Sequence, residues 1–336
     1  MKALVTGGCG FIGSHLTRKL VDRGFSVTAV DDLSAGKIEN LADHNLKLRC
    51  VHSALVPQFF SKNVKMATEE VLVVTGDFVD RNVLNMIVLG KFTHVFHLAA
   101  NPRVEFSVER PAISTEVNLM KSIELLSACR NIGLDKFIFA SSSAVYGNGL
   151  KYPGTSLSEC MVPMPVNPYG LQKLSFELFM RLFSDLYNLN SVALRLFNVY
   201  GPGCAGDSPY ATAIAAWCDK LSKNEPLRSD GDGEQTRDMI YVEDVVEAFV
   251  RFATDYDEKG FAAVNVGTGG SISNNDILRK LQLKNLDFRI QNSPERPGDS
   301  KYTRAAINKL RKCLRWEPTT QFDEGLEKTL KWWKMI

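Results

Sequence analysis

An apolar run, Ala3-Leu4-Val5, passes into Thr6-Gly7-Gly8-Cys9-Gly10-Phe11-Ile12-Gly13 and then into Ser14-His15-Leu16-Thr17-Arg18-Lys19-Leu20, a succession that reads as strand, tight turn and helix. The glycines at 7, 10 and 13 supply the turn, a place where backbone can meet a phosphate, and close packing of helix on strand. Free N–H groups at the helix N-terminus then face the anion. A second apolar run, Ser26-Val27-Thr28-Ala29-Val30, ends in Asp31-Asp32, about twenty residues downstream, where an acid grips the hydroxyls of an adenosine ribose. Gly7, Gly10, Phe11, Ile12, Gly13, Asp31 and Asp32 are therefore the first candidate cofactor-binding residues. An acid at 31 repels a 2′-phosphate, which favours NAD over NADP. The plainer reading, a glycine-rich surface turn, leaves the flanking strands unexplained.

A chain of 336 residues is long for one core and suits two domains. Its apolar fraction of 45% and charged fraction of 23% are those of a soluble globular protein. A net charge of +2 with no basic stripe offers no footprint for nucleic acid or an anionic membrane, so small-molecule partners are expected. Seven cysteines, odd in number and without a Cys-x-x-Cys pair, suggest neither a disulfide framework nor a metal site. They point to a reducing, cytoplasmic compartment. The first strand starting at residue 3 leaves no room for a signal peptide, and no apolar run approaches the roughly 18 residues of a membrane helix.

Residues 1 to about 140 alternate β-rich runs near 3–6, 26–30, 71–74, 94–98 and 136–140 with helical patterns, which predicts a doubly wound parallel α/β sheet. The stretch from about 50 to 70 is the least regular part of this half. Gly76-Asp77-Phe78 follows a strand, which puts Asp77 at the edge where open α/β sheets bind ligands. There it would accept from an adenine amino group; capping the next helix is the equal alternative. In His97-Leu98-Ala99-Ala100, small residues let a cofactor lie close, and His97 reads as a satisfied strand residue before a catalyst. Glu116 to Cys129 carries Val117, Met120, Ile123, Leu125 and Leu126 at helical spacing.

Pro165-Val166-Asn167-Pro168 signals a helix start, and Tyr169-Gly170-Leu171-Gln172-Lys173 opens that helix. Tyrosine and lysine four apart share one face. A phenol is a poor base at neutral pH, but a nearby ammonium and a cationic nicotinamide favour the phenolate. Tyr169 then takes a proton from a sugar hydroxyl while hydride leaves the same carbon. An isolated Tyr-x-x-x-Lys is commonly an amphipathic helix with a surface lysine; behind the glycine fingerprint and the strand exit Ser141-Ser142-Ser143 it reads as catalytic.

With these elements assembled, the chain resembles the extended short-chain dehydrogenase/reductase family, and within it the UDP-sugar 4-epimerases. The resemblance rests on Thr6-Gly7-x-x-Gly10-x-x-Gly13, Asp31, Gly76-Asp77, His97 to Ala100, Asn118, Ser142 with Tyr146, Tyr169 and Lys173, Arg195 to Pro202, Gly231 to Asp238, and Arg296-Pro297-Gly298-Asp299. It implies a Rossmann NAD-binding domain over 1–180 and a smaller nucleotide-sugar-binding α/β domain over 181–336. Within the second, Tyr241-Val242-Glu243-Asp244 and its helix pack back on the first. The implied activity is that of an isomerase in carbohydrate and polysaccharide metabolism: NAD takes hydride from C4 of a UDP-hexose, Tyr169 helped by Ser142 removes the 4-hydroxyl proton, and the transient 4-keto sugar is reduced on its other face. Lys173 orients the nicotinamide ribose and Asn118 supports the backbone. The implied cofactor contacts include Asp77, Phe78, Leu98, Ala99, Ala100, Asn118, Tyr169, Lys173 and Phe197. Arg237 and Arg296 suit the diphosphate because a guanidinium fork matches phosphate oxygens, and Asn198 bridges phosphate and sugar.

Related dehydratases and UDP-glucuronate decarboxylases place an acid two residues before the tyrosine of the Tyr-Gly pair. Here that residue is Ala144, so epimerisation is the simplest chemistry the site supports. Two departures bear on substrate. Many relatives hold an aromatic residue just before Gly-Asp-Gly, against uracil, where this chain has Leu227-Arg228-Ser229-Asp230-Gly231. Pro226 and Leu227 line the base instead, or the nucleotide is not UDP. Thr303 falls where a tyrosine restricts some relatives to plain hexoses; threonine leaves room for an N-acetyl group, so UDP-GlcNAc and UDP-GalNAc are expected beside or instead of UDP-Glc and UDP-Gal. The family also implies a homodimer through helices beginning near Glu116 and Tyr169, the latter with more apolar residues than one buried face requires: Leu174, Phe176, Leu178, Phe179, Leu182 and Phe183, an excess that core packing explains equally well. Other uses of the same residues are UDP-glucuronate 4-epimerisation, dehydration or net oxidoreduction. A non-catalytic nucleotide-sugar sensor would be free to lose Tyr169, Lys173 or Ser142, and this chain has all three.

Overall fold

The computed structural model describes residues 1–42, 46–61, 70–147, 154–206, 213–294 and 301–336. Its first elements are β1 (Lys2–Thr6), α1 (Phe11–Asp22), β2 (Ser26–Asp31), α2 (Glu39–Ala42), β3 (Lys47–His52), α3 (Val56–Ser61), β4 (Glu70–Thr75), α4 (Arg81–Val88) and β5 (His94–His97). Next come α5 (Val104–Glu109), α6 (Pro111–Thr115), a π turn over Glu116–Met120, α7 (Lys121–Ala128) and β6 (Lys136–Ser142). After them lie α8 (Pro168–Tyr187), β7 (Ser191–Leu196), β8 (Asn198–Tyr200), α9 (Ala213–Ser222), β9 (Leu227–Asp230), β10 (Thr236–Arg237), β11 (Met239–Tyr241), α10 (Val242–Thr254) and β12 (Phe261–Val266). The remainder is β13 (Ile272–Ser273), α11 (Asn274–Leu283), β14 (Ile290–Ser293), α12 (Asn308–Leu314) and α13 (Phe322–Trp332).

Eight strands form one sheet in the order β12-β7-β6-β5-β1-β2-β4-β3. The pairs β1/β2, β1/β5, β2/β4, β4/β3 and β5/β6 are parallel. Helices between parallel strands cover both faces, so β1, β2, β4 and β5 are buried along nearly their whole length. This is the doubly wound Rossmann class that the alternation predicts. All five predicted strands of this half are present. The stretch read as irregular is more ordered than its sequence suggests: β3 takes the sheet edge and α3 comes after it, while 62–69 lie outside the described residues. β3 escapes a periodicity search because an edge strand has little to bury, and its polar Arg49 instead pairs with Glu70 on β4 at 2.6 Å.

Residues 1–141, 172–194 and 246–263 make one compact unit, and residues 142–171, 195–245 and 264–336 make another. The division at 180/181 read from the sequence does not follow these interleaved segments. The first unit holds the sheet, apart from the last residues of β6, β7 and β12, over a core that includes Leu4, Val74, Phe137, Phe139 and Phe176.

The second unit is organised by polar groups. Asp238 is fully buried, and its carboxylate accepts hydrogen bonds from Thr268 N and Oγ1, Gly269 N and Ala305 N at 2.7–3.0 Å. Burial raises its pKa and these donors oppose the rise. Arg195, Tyr146 and Asn265 form a second buried set: Arg195 donates to the Tyr146 hydroxyl at 2.9 Å, which donates to Asn265 Oδ1 at 2.7 Å. All four tryptophans (217, 316, 332 and 333) belong to this unit, so their fluorescence reports its unfolding. Asp238→Ala leaves three buried N–H groups unpaired and is expected to destabilise the unit by about 3 kcal/mol or more, read as a shift in the tryptophan-detected urea midpoint.

Candidate active site

In the first unit, Gly7 has φ +69°, and a Cβ there would lie 2.9 Å from the Ala99 nitrogen. A Cβ on Gly13 would lie 2.0 Å from the Gly7 carbonyl oxygen. Only glycine permits either approach, and together they press the start of α1 onto the turn after β1. Gly10 is the extended residue before α1; no side chain caps the helix and its first turn carries no acid. Phe11 is buried and Ile12 partly so. The first-turn N–H groups of α1 therefore meet no competing carboxylate, the condition for holding a phosphate.

Thr6 Oγ1 lies 3.2 and 3.3 Å from the Leu98 and Ala99 nitrogens, which donate to it. His97 is wholly buried, paired through Nδ1 with Thr6 and through Nε2 with Ser122, and burial holds its pKa at about 3. It is a neutral structural residue. Asp31 is also buried, which raises its pKa against the pull of Leu33 N and Cys9 N, the donors to its two oxygens. Asp32 organises its own loop, accepting from Ser34 N and Oγ.

Asp77 does not cap α4; Asp80 does, through Asn82 N. Asp77 instead accepts from Val79 N and is ion-paired to Lys121. Phe78 packs on His97 with ring centroids 5.1 Å apart, and Ala100 is partly buried. Asn118 sits in the π turn, where it exchanges hydrogen bonds with Asn101 N and O and donates to Gln172 Oε1. The π turn over Glu116–Met120 interrupts the simple helix read over 116–129, and along this stretch Asn118, Ser122, Leu125 and Leu126 face in while Met120 faces out.

α8 carries both members of the Tyr-x-x-x-Lys pair, Tyr169 in the second unit and Lys173 in the first. Lys173 is buried; its ammonium donates to the Ala140 carbonyl at 2.8 Å and lies 4.5 Å from the Phe139 ring centre. Burial pulls its pKa down to about 7, with the Glu177 charge resisting. Glu177 is itself buried and accepts from Ser141. Gln172 is clamped between Ser114, Asn118 and Thr115 at 2.8–3.1 Å. Sequence reasoning passed over Gln172, Glu177 and Lys121, because a polar residue on a helix reads as surface until its partners are known.

In the second unit, Tyr169 is hydrogen-bonded to Ser142. Burial pushes its phenol up to about 12, and the Ser142 bond works against the rise. Ser142 also accepts from Ala144 N, closing a one-turn helix over Ser143–Tyr146. Gly170 permits the approach of α8, since a Cβ there would stand 2.5 Å from the Ala144 carbonyl oxygen. Phe197 is buried and Asn198 opens β8, its nitrogen donating to Asp238 O. Arg237 donates to the carbonyls of Thr236 and Lys301. Thr303 is 6% exposed, and its hydroxyl has no partner among the described residues. Leu227 is fully buried, so it belongs to the core and does not line an open base pocket as the sequence reading allowed. Arg296 lies outside the described residues.

The glycine cradle, the uncapped helix and the acid ending β2 fit a dinucleotide. The pattern of the NAD dependent epimerase/dehydratase family matches residues 3–267. The chain belongs to that family. NAD is accordingly its cofactor. It is 32% identical over 338 residues to a UDP-glucose 4-epimerase of Mycolicibacterium smegmatis, covering 99% of each chain. Among solved structures it is similar to a UDP-N-acetylglucosamine 4-epimerase from Methanobrevibacter ruminantium in complex with UDP-N-acetylmuramic acid, at 35% identity, a TM-score of 0.85, and 99% and 98% coverage. It is also similar to a Thermus thermophilus UDP-glucose 4-epimerase in complex with NAD, at 31% identity, a TM-score of 0.83 and 99% coverage of each chain.

Gly13→Ala tests the cradle of this family member directly. It is expected to cost about 1–3 kcal/mol of stability through overpacking and to leave the purified protein depleted of NAD, measured by chromatography of the dinucleotide released on denaturation.

Proposed function

We propose that the chain is a UDP-hexose 4-epimerase that accepts UDP-N-acetylglucosamine and UDP-N-acetylgalactosamine beside, or in preference to, UDP-glucose and UDP-galactose. The observation that carries this reading is the Ser142–Tyr169 hydrogen bond at the start of the helix that also bears the buried Lys173. Tyr169 takes the proton of the sugar 4-hydroxyl as hydride leaves C4 and gives it back to the same oxygen when hydride returns to the opposite face of C4, while Ser142 holds that oxygen in line. With a phenol at about 12 in the chain alone, the proton transfer needs added positive charge. NAD, when bound, supplies that charge and the site that accepts and returns hydride. Lys173 orients the ribose from its seat on the Ala140 carbonyl.

Ala144, beside Ser142 in the same turn, offers no carboxyl group for elimination, which favours epimerisation over dehydration. Arg237 and Arg296 are assigned to the diphosphate and Asn198 to the bridge between phosphate and sugar. Thr303 is assigned to the sugar pocket, where its small side chain leaves space for the acetamido group. The seven free cysteines suit a reducing compartment, and the cytoplasm is the proposed location.

A homodimer is part of the proposal. Leu178, Leu182 and Leu186 on α8 are 47–59% exposed, and Val108, Ile113 and Met120 are comparably exposed on α5, α6 and the π turn. Gln172 ties α8 to that same turn. Uncovered apolar residues on linked helices suit a second copy of this chain.

Three measurements test these assignments. Proton NMR of UDP-N-acetylglucosamine with the holoenzyme is expected to show the H4 signal of the galacto epimer, and Tyr169→Phe to slow its appearance by roughly 10²–10⁴; accumulation of NADH would point to net oxidation instead. Thr303→Tyr is expected to slow the acetylated pair while sparing UDP-glucose, and unchanged turnover of the acetylated pair would refute that role. Sedimentation velocity is expected to give twice the 37.4 kDa chain mass, and Leu178→Asp/Leu182→Asp to give the monomer.

A further inference from the structure

We propose that Lys121, through its ion pair with Asp77, sets the purine selectivity of the NAD site, an inference that rests on the reading of Asp77 as the adenine acceptor. β2 and β4 are neighbours, Asp31 pairs in register with Thr75, and Gly76 N donates to Asp31 O at 2.9 Å. The two acids thus leave adjacent strand ends, which in a parallel sheet stand about 4.8 Å apart. A nucleoside whose ribose meets Asp31 brings its base toward Asp77.

A carboxylate only accepts hydrogen bonds. It suits the 6-amino group of adenine and opposes the 6-oxo group of hypoxanthine. That discrimination requires the carboxylate to stay in place. Asp77 is on a loop with its side chain 36% exposed, and an exposed carboxylate on a loop turns freely unless something holds it. Two groups hold this one: Val79 N donates to Oδ1, and the Lys121 ammonium grips Oδ2. Each oxygen retains acceptor capacity for the base.

Lys121 is 44 residues away in sequence and opens α7 directly after the π turn. Asn118 braces that turn through Asn101 and Gln172, so Lys121 is a positioning residue aimed by a buried polar network.

The test offers the protein an equimolar mixture of NAD and nicotinamide hypoxanthine dinucleotide, removes unbound ligand, and reads the bound ratio and total by mass spectrometry. Wild type is expected to take up NAD preferentially. Lys121→Met is expected to narrow that preference roughly three- to fivefold, the scale of a half-exposed ion pair acting on one hydrogen bond, and Lys121→Arg to keep it. Total dinucleotide bound per chain checks that each variant is folded. Asp77→Ala separates the two layers of the argument. If it leaves the ratio unmoved, the base does not meet Asp77 and both readings fall. If it collapses the ratio while Lys121→Met does not, the Asp77 reading stands and the Lys121 proposal is overturned. Equal weakening toward both dinucleotides in Lys121→Met, or a widened preference, likewise overturns it.

Discussion

The contact between Gly13 and the Gly7 carbonyl leaves no room for a single carbon atom. Because α1 begins there, its N-terminus is placed at the carboxyl end of β1 with its amide groups unblocked. The neighbouring strand ends are tied to the same turn by backbone donors and short side chains. Gly7 N donates to Val30 O on β2, Cys9 N to the carboxylate of Asp31, and Leu98 and Ala99 to Thr6. An added methyl group at Gly7 or Gly13 would push apart every loop that depends on this approach.

A different physics governs the region around α8. Burying an ammonium, a carboxylate and two amides inside the first unit is costly unless each is paired. Lys173 has the Ala140 carbonyl and the Phe139 ring, Glu177 has Ser141, and Gln172 and Asn118 have each other. Networks of this kind contribute little net stability but penalise any other arrangement, because a displaced member strands its partner. Within the first unit Gln172 fixes its part of α8 to α6 and the π turn, and within the second Gly170 approaches the Ala144 carbonyl. A lysine near pH 7 is the electrostatic consequence of that burial.

Much of the fold was legible because it is written in short-range patterns. Five strands, the glycine turn and the Tyr-x-x-x-Lys pair depend on spacing within a few residues, and spacing survives in a sequence without any knowledge of partners. β3 was not legible, since its Lys-Leu-Arg-Cys-Val-His pattern answers to an edge position beside Glu70 and not to burial. The π turn was not legible either, because a local change in helical hydrogen bonding leaves no mark on composition, and neither was the pairing of Lys121 with Asp77, 44 residues away. Leu227 read as a candidate for the base pocket and is core.

The class of fold and the chemical repertoire were already present in the order of residues: a parallel α/β sheet, a glycine turn that fits a dinucleotide, and the tyrosine, serine and lysine to which the proposed proton transfer is assigned. These come from local sterics and from the functional groups that side chains carry. The states of those groups came from tertiary packing. It made His97 neutral, drew Lys173 down and Tyr169 up, made Asp238 the hub of four hydrogen bonds and gave Asp77 its lysine. Protonation and orientation depend on desolvation and on partners tens of residues distant, and those exist only once the chain has closed around them.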